Sequence, residues 1–428
     1  MIRHFKFLVL LVTLAGMLRC IAQETQHDFP LVDANTRFAF KLFHQVVAKT
    51  PDANVLISPI SLSLDFALLQ NGAEAKAREE ILSTLEFGSL SAEKINQQSL
   101  ALRQALVYEP PPKAPSRLHA KRVPPPPPIC CQPPPERLIL AGSLWTQPRV
   151  RFRRDFLATN KKFYAFQTAS VPNRGPAAAK AVNTWVARRT GGVLTSALDS
   201  WRNGDFLVVD TTWFKGAWTE PFPLAFTNPG EFTLLSGEKK RVPMMVQDSH
   251  FLYLRGPKFQ AVRLPYGHAA MYVFLPDQDS SLKEFEQSLT FDNWVTWLSA
   301  LSRRPGHVEL PRFRSEYRAD VKTVLTDLGM SRAFENFSSF GPLVENPEGA
   351  KLTRVLQMVS IKVDENGTEA ASATFIGGVI GGVSSEPPPE PFRMIMDRPF
   401  FFAICDNQTQ AVLYMGAITD PVPLPLEP

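Results

Sequence analysis

Seven histidines lie at positions 4, 27, 44, 119, 250, 268 and 307, and none stands at metal-ligand spacing. No serine occupies a Gly-x-Ser-x-Gly elbow, no His-Glu-x-x-His pair occurs, and there is no glycine-rich phosphate loop. His268, following Pro265 and Tyr266, reads as a turn residue rather than a base. A hydrolase assembled from residues far apart in sequence stays open, since triads can be built across a fold. What the chain does offer is a segment able to change its conformation. Asp364–Val383 reads DENGTEAASATFIGGVIGGV, with Thr368, Ala370, Ser372 and Thr374 at alternate positions. Small residues at period two fit a central strand without overpacking it. Gly367, Gly377, Gly378, Gly381 and Gly382 make the same stretch poor at holding a strand unaided, and the proline-rich Ser384–Pro391 cannot join a sheet interior. Such a segment can be either a strand or a loop, which makes it a candidate switch.

Helices come early in the chain and apolar strands late. Ser58 and Pro59 supply an N-cap and a first-turn proline, with Leu62, Phe66 and Leu69 on one face and Asn71-Gly72 as the stop. A second helix runs from about Ala75 to Gly88 with Ile81, Leu82 and Leu85 inward; a third carries Val182, Trp185 and Val186 and ends at Gly191-Gly192. Phe206–Phe214, Met271–Leu275, Phe400–Ile404 and Ala411–Ile418 are continuous apolar runs, as expected of strands buried on both faces. Asn407-Gln408-Thr409 reads as a hairpin turn between the last two. The order predicts an α+β chain.

The 428 residues are 44% hydrophobic and 20% charged, which excludes wholesale disorder and a coiled coil. Arg3, His4 and Lys6 precede the apolar run Phe7–Leu18, and Cys20-Ile21-Ala22 supplies the small residues of a cleavage site. That order predicts a secretory signal peptide over residues 1–22 and a secreted, extracellular domain over 23–428. The run is too short to span a membrane. Removing it lowers the formal charge from +5 to +2 and leaves Cys130, Cys131 and Cys405, an odd number that predicts one free or intermolecular thiol. Residues 110–135 hold twelve prolines together with Lys113, Arg117, Lys121 and Arg122, and no acid. They read as an extended basic insertion, either inert or a contact for a sulfated glycosaminoglycan or a partner.

Nine motifs in order carry a family resemblance. NVLISPISLSLDFALLQNGA (54–73), VNTWVARRTGGVLTSAL (182–198) and TTWFKGAWTEPF (211–222) come first. VPMM (242–245), RLPYG (263–267), LPRF (310–313), LTDLGMSRAF (325–334), DRPFFF (397–402) and VLYMGAITDP (412–421) follow. Over residues 30–421 the chain resembles a serpin. The resemblance implies an α+β fold with three β-sheets, about nine helices and an exposed reactive loop, here residues 365–391. In the family a target protease cleaves the loop and forms an acyl-enzyme. The loop then inserts as a new central strand and drags the enzyme with it. Gly367–Ile380, extended as a strand at roughly 3.3 Å per residue, reaches about 45 Å. Deforming the enzyme's oxyanion hole then stalls deacylation.

Carried over by position, Glu365, Gly367, Thr368, Glu369, Ala370 and Ala371 match the inhibitory hinge. The bait residue falls on Gly381, with cleavage before Gly382; a slip of one gives Ile380. A glycine bait points to an elastase-like or other small-residue target. Arg393, the basic alternative, lies too far along for ordinary insertion. In the gate that opens the main sheet, Ser58 and Ser61 match the family. Asp210 stands where an Asn is usual and Gln357 where a His is usual; the two can still hydrogen-bond, but an ionised aspartate buried there is costly without a partner. The loop is also about seven residues longer than is typical.

Sequons at Asn336, Asn366 and Asn407 are expected glycosylation sites, the second of them inside the hinge. The reading that follows is a monomeric, secreted serine protease inhibitor acting as a suicide substrate. No catalytic role, metal, cofactor, nucleic acid or membrane is expected. The alternative is a non-inhibitory serpin acting as carrier, chaperone or binding protein.

Overall fold

The computed structural model describes residues 30–108, 136–171, 175–201, 206–335, 339–346, 351–368 and 390–424. The expected signal peptide and the proline-rich insertion lie outside these. So do Cys130, Cys131, Asn336, Glu369, Ala370, Ala371, Gly381 and Gly382.

The first third is helical: α1 (Pro30–Lys49), β1 (Val55–Ile57), α2 (Pro59–Leu69), α3 (Ala75–Thr84) and α4 (Ala92–Ala105). Next come β2 (Arg137–Thr146), α5 (Arg154–Thr159), β3 (Gln167–Ser170), α6 (Pro176–Arg189) and β4 (Phe206–Ala217). A run of strands follows: β5 (Asn228–Thr233), β6 (Lys239–Arg255), β7 (Phe259–Pro265) and β8 (Ala269–Pro276). After α7 (Leu282–Gln287) and α8 (Phe291–Ala300) come β9 (Ser302–Pro311), β10 (Phe313–Asp320), α9 (Lys322–Asp327) and α10 (Ser331–Glu335). The chain closes with β11 (Leu352–Asp364), β12 (Gly367–Thr368), β13 (Phe392–Ile395), β14 (Phe400–Asp406) and β15 (Val412–Ile418).

The four apolar runs fall in β4, β8, β14 and β15, and the last three are buried along their whole length. β14 and β15 pair antiparallel across the turn at Asn407–Thr409. Six strands form one sheet in the order β10-β11-β12-β4-β2-β3. The rest form a continuous ladder, β1-β15-β14-β8-β7-β6-β9-β13, with β5 on β6. The three sheets expected are thus joined into two by hydrogen bonding. The 17-residue β6 serves both parts of the larger one, pairing β9 over Met244–Tyr253 and β7 over Leu252–Arg255.

α2 departs from the one-faced helix predicted: all eleven residues are buried. It packs against β15 of the larger sheet and against β4 and β2 of the smaller, so no face of it meets water. Ser58 caps it by backbone geometry alone, and its hydroxyl bonds to nothing at the helix start. A second core, with Trp145, Trp185, Trp201, Leu207 and Met358, fills the space under α6 on the opposite side of the smaller sheet.

Candidate functional site: the seam between β4 and β11

β4 and β11 run side by side in parallel from Leu352 opposite Phe206 to Ser360 opposite Trp213. Beyond that point they part, and β12 enters between them. Gly367 pairs with Ala217 on one side and Asp364 on the other; Thr368 pairs with Gly216 and Val363. Two residues of the hinge are therefore already strand, antiparallel to both neighbours. Gly367 has φ +146°, and a Cβ there would meet the Gly216 carbonyl oxygen at 2.1 Å, so only glycine fits. Thr368 is fully buried, and its hydroxyl lies 2.6 Å from that of Tyr266. Trp218 stacks on Tyr266 at 4.3 Å, and its indole N–H donates to the Asp364 carbonyl. Glu365, at the turn into β12, is buried against Arg312 at 3.3 Å and accepts from the Thr227 hydroxyl at 2.7 Å.

Lower in the seam the four predicted gate residues come together. Gln357 and Asp210 are register partners, and the Gln357 Nε2 donates to Asp210 Oδ2 at 3.0 Å and to the Ser58 carbonyl at 2.9 Å. The Ser61 hydroxyl also bonds Asp210 Oδ2. Asp210 is 1% exposed, and among the described residues its second oxygen, Oδ1, has no hydrogen-bond partner. Burial pushes its carboxyl up to about 7, against the downward pull of hydrogen bonds from Ser61, Gln357 and the Thr211 amide. The sequence reading missed a second acid here. Asp65, on α2, is also 1% exposed, with neither oxygen bonded. Its signal was a lone carboxylate between Leu64 and Phe66 in an otherwise apolar run.

The other expectations divide. His268 is the turn residue predicted, stacked on Tyr108 at 4.9 Å. Cys405 is a free, buried thiol, and burial raises its pKa well above the usual value. Asn366 is half-buried at the mouth of the seam. The Asn407 amide donates to the carbonyls of Gly267 and Ala269 and accepts from Arg263, and Thr409 is buried against Asp406. Arg393 is an exposed residue of β13, ion-paired with Glu309 at 2.9 Å. The sequence reading also passed over a basic run: Arg149, Arg151, Arg153, Arg154, Lys161 and Lys162 are all exposed. Among the described residues no helix is long and apolar enough to cross a membrane.

Comparison with known proteins agrees with this architecture. The sequence model of the family described as serpin (serine protease inhibitor) matches residues 33–421. The leukocyte elastase inhibitor of Bos taurus is 30% identical over 406 residues, covering 91% of this chain and 98% of that protein. Plasminogen activator inhibitor 2 of Homo sapiens is 26% identical over 415 residues, covering 91% and 99%. Among solved structures, the thermophilic serpin tengpin in its native state superposes with TM-score 0.79 at 22% identity, over 93% of this chain and 96% of that one. Human thyroxine-binding globulin complexed with thyroxine gives TM-score 0.78 at 22% identity, over 92% and 99%. With the family match spanning the helical N-terminal third, both sheets and the parted seam, the chain belongs to the serpin family.

Proposed function

We propose that this serpin is a secreted, single-use inhibitor of a serine protease, and that the β4–β11 seam is where its cleaved loop enters. The observation that carries the reading is β12, a two-residue strand already wedged at the top of the seam. Continuing its register down both ladders would set residue 370 between Phe214 and Ile361. Residue 372 would fall between Thr212 and Val359, and residue 374 between Asp210 and Gln357. Those three residues are Ala370, Ser372 and Thr374, small enough for a buried face and on the same side as Thr368. The Thr212 hydroxyl and Asp210 Oδ1 have no protein partner in the closed sheet. The Ser372 and Thr374 hydroxyls would arrive beside them. Insertion also replaces one parallel pairing with two antiparallel ones, which are slightly stronger per residue.

Cleavage between Gly381 and Gly382, and a target that accepts a small residue, remain the preferred assignment. The elastase in the bovine relative's name is consistent with it. The test is direct: incubate the protein with elastase-like and trypsin-like enzymes and look for an adduct that survives denaturing electrophoresis. Cleavage in the loop with no adduct for any enzyme would leave the protein a substrate. Secretion is tested by sequencing the mature N-terminus, expected at Gln23.

Two observations favour a second reading, a non-inhibitory carrier, chaperone or binding protein. The gate holds buried acids, and a sequon lies in the hinge, where a glycan on Asn366 would hinder entry. Loop nicking decides between the two. An inserting loop raises the melting midpoint by tens of degrees, and a non-inserting one leaves it unchanged. A glycosaminoglycan partner is the remaining proposal, through Lys113, Arg117, Lys121 and Arg122. The exposed run Arg149–Lys162, with a net formal charge of +5, supports a polyanion contact elsewhere on the surface.

A further inference from the structure

Ser58, Ser61 and Asp65 recur at intervals of three and four residues, so they share one face of α2, the face turned to the gate. Two of them bond to the seam. Asp65 does not: among the described residues no donor reaches either oxygen, although the side chain is 1% exposed. Asp210, one helical turn away through Ser61, keeps one oxygen unbonded as well. A carboxyl group buried without donors is stable only in its neutral form, and two acids in one apolar seam oppose each other's ionisation.

Among the described residues no cation pairs with either acid. On α1, Arg37 lies over the Phe291 ring and Lys41 pairs with Glu86. Arg103 of α4 donates to the Phe163 carbonyl at 2.8 Å, and Arg137 of β2 is exposed. The buried phenol Tyr164, after α5, donates to the Ala67 carbonyl; β15 contributes Tyr414, also a phenol, and β11 the neutral Gln357. The Asp210 charge adds to burial in raising the Asp65 carboxyl.

We infer that Asp65 and Asp210 make opening of the β4–β11 seam a proton-releasing step: the closed sheet holds their protons, and the opened sheet lets them go. The inference rests on reading this seam as the place where the loop enters. Burial raises both acids above the usual carboxylate range. Burial pushes the Asp210 carboxyl up to about 7, and wherever Asp210 carries charge that charge adds to burial in holding the proton on Asp65. A group whose pKa is raised in the closed state stabilises that state below the ordinary carboxylate range. That stabilisation is lost as the pH climbs to the raised value. The closed sheet is therefore firmest in acid and loosens toward neutral and alkaline pH. Each proton released steepens the opening equilibrium by about tenfold per pH unit over its window.

The experiment uses the full chain and two readouts from pH 5.5 to 8.5. The first is hydrogen exchange at the amides of β4 and β11, corrected for intrinsic rates, which reports seam opening whether or not any loop enters. The second is annealing of a synthetic peptide with the sequence of residues 367–380, followed by native-gel shift. Wild type should open at least tenfold more readily at pH 7 than at pH 6 and go on rising above 7. Asp65→Asn should level off above pH 7, and Asp65→Asn combined with Asp210→Asn should vary less than twofold throughout. Asp65→Ala, which removes the buried acid outright, should follow Asp65→Asn and guards against a folding artefact of the amide. A flat wild-type profile, or a profile for either Asp65 variant that overlays wild type, overturns the inference. If the exchange slopes appear but the peptide never anneals, the proton-linked seam stands and the loop-entry reading falls. If the peptide anneals and exchange is independent of pH, loop entry stands and the inference falls.

Discussion

The Glu365 carboxylate lies 3.3 Å from Arg312 Nε, with both side chains 5% exposed, at the turn that carries the chain from β11 into β12. Phe222 donates its amide to the Glu365 carbonyl at 2.9 Å, and Thr227 its hydroxyl to the carboxylate. The start of the proposed hinge is thus fastened on three sides, while the seam below it is held by strand pairing and by the bonds among Ser58, Ser61, Asp210 and Gln357. Glu365→Gln removes the charge facing Arg312 and leaves a buried guanidinium without its counter-ion. Breaking such a pair costs about 3–5 kcal/mol, and urea denaturation should show a loss of that order. An unchanged midpoint would mean that Arg312 has found another partner.

Gly367→Ala should expel β12. A methyl group at φ +146° runs into the Gly216 carbonyl oxygen and the Ala217 Cα, so the two short ladders cannot form. Loss of the hinge strand frees Trp218, whose backbone amide donates to the Asn366 carbonyl, and its fluorescence should shift. The expected penalty is about 1–3 kcal/mol, read from thermal melting of the intact protein.

Thr374→Trp tests the register. If residue 374 must pass between Asp210 and Gln357, a large ring there blocks insertion at the gate, because both partners are essentially unexposed. The variant should be cleaved by the target enzyme at the wild-type rate yet form little adduct, turning inhibitor into substrate. Ala371→Trp, which in the same register would fall between Trp213 and Ser360 and face the opposite side of the sheet, serves as comparison. Equal adduct yield from Thr374→Trp and wild type would rule out the register.

The exposed basic run should govern retention on immobilised heparin. Arg151, Arg154, Lys161 and Lys162 changed together to serine should elute at clearly lower salt than wild type, since each engaged cation steepens the salt dependence. Lys113, Arg117, Lys121 and Arg122 changed together lower the net charge equally, and the comparison tells the two patches apart. No side chain of the run offers an exposed aromatic face, so single-stranded nucleic acid should bind less well than a sulfated polysaccharide.

Much of this protein was legible before folding. The four apolar runs declared the buried strands, because a strand covered on both faces has no polar side to show. Ser58-Pro59 marked the start of α2, but its pattern of Leu62, Phe66 and Leu69 suggested one apolar face when all faces are buried. The packing of β15 on one side and of β4 and β2 on the other is what buries the remaining faces. The gate residues could be named at positions about 150 and 300 residues apart, and a bond between Asp210 and Gln357 foreseen, yet the bonds that tie both to Ser58 and Ser61 could not.

What the sequence by itself determined is the family, the order of helices and strands, and a hinge whose alternation of small residues suits a strand. Those features are local, written in periodicity and turn chemistry within windows of about 20 residues. What the tertiary structure alone decided is that Gly367 and Thr368 pair with both β4 and β11, which carboxylate meets which donor, and that Asp65 meets none among the described residues. Each depends on residues far apart in the chain sharing a water-free volume, where the ionisation of a carboxyl group is set by neighbours that no stretch of sequence records.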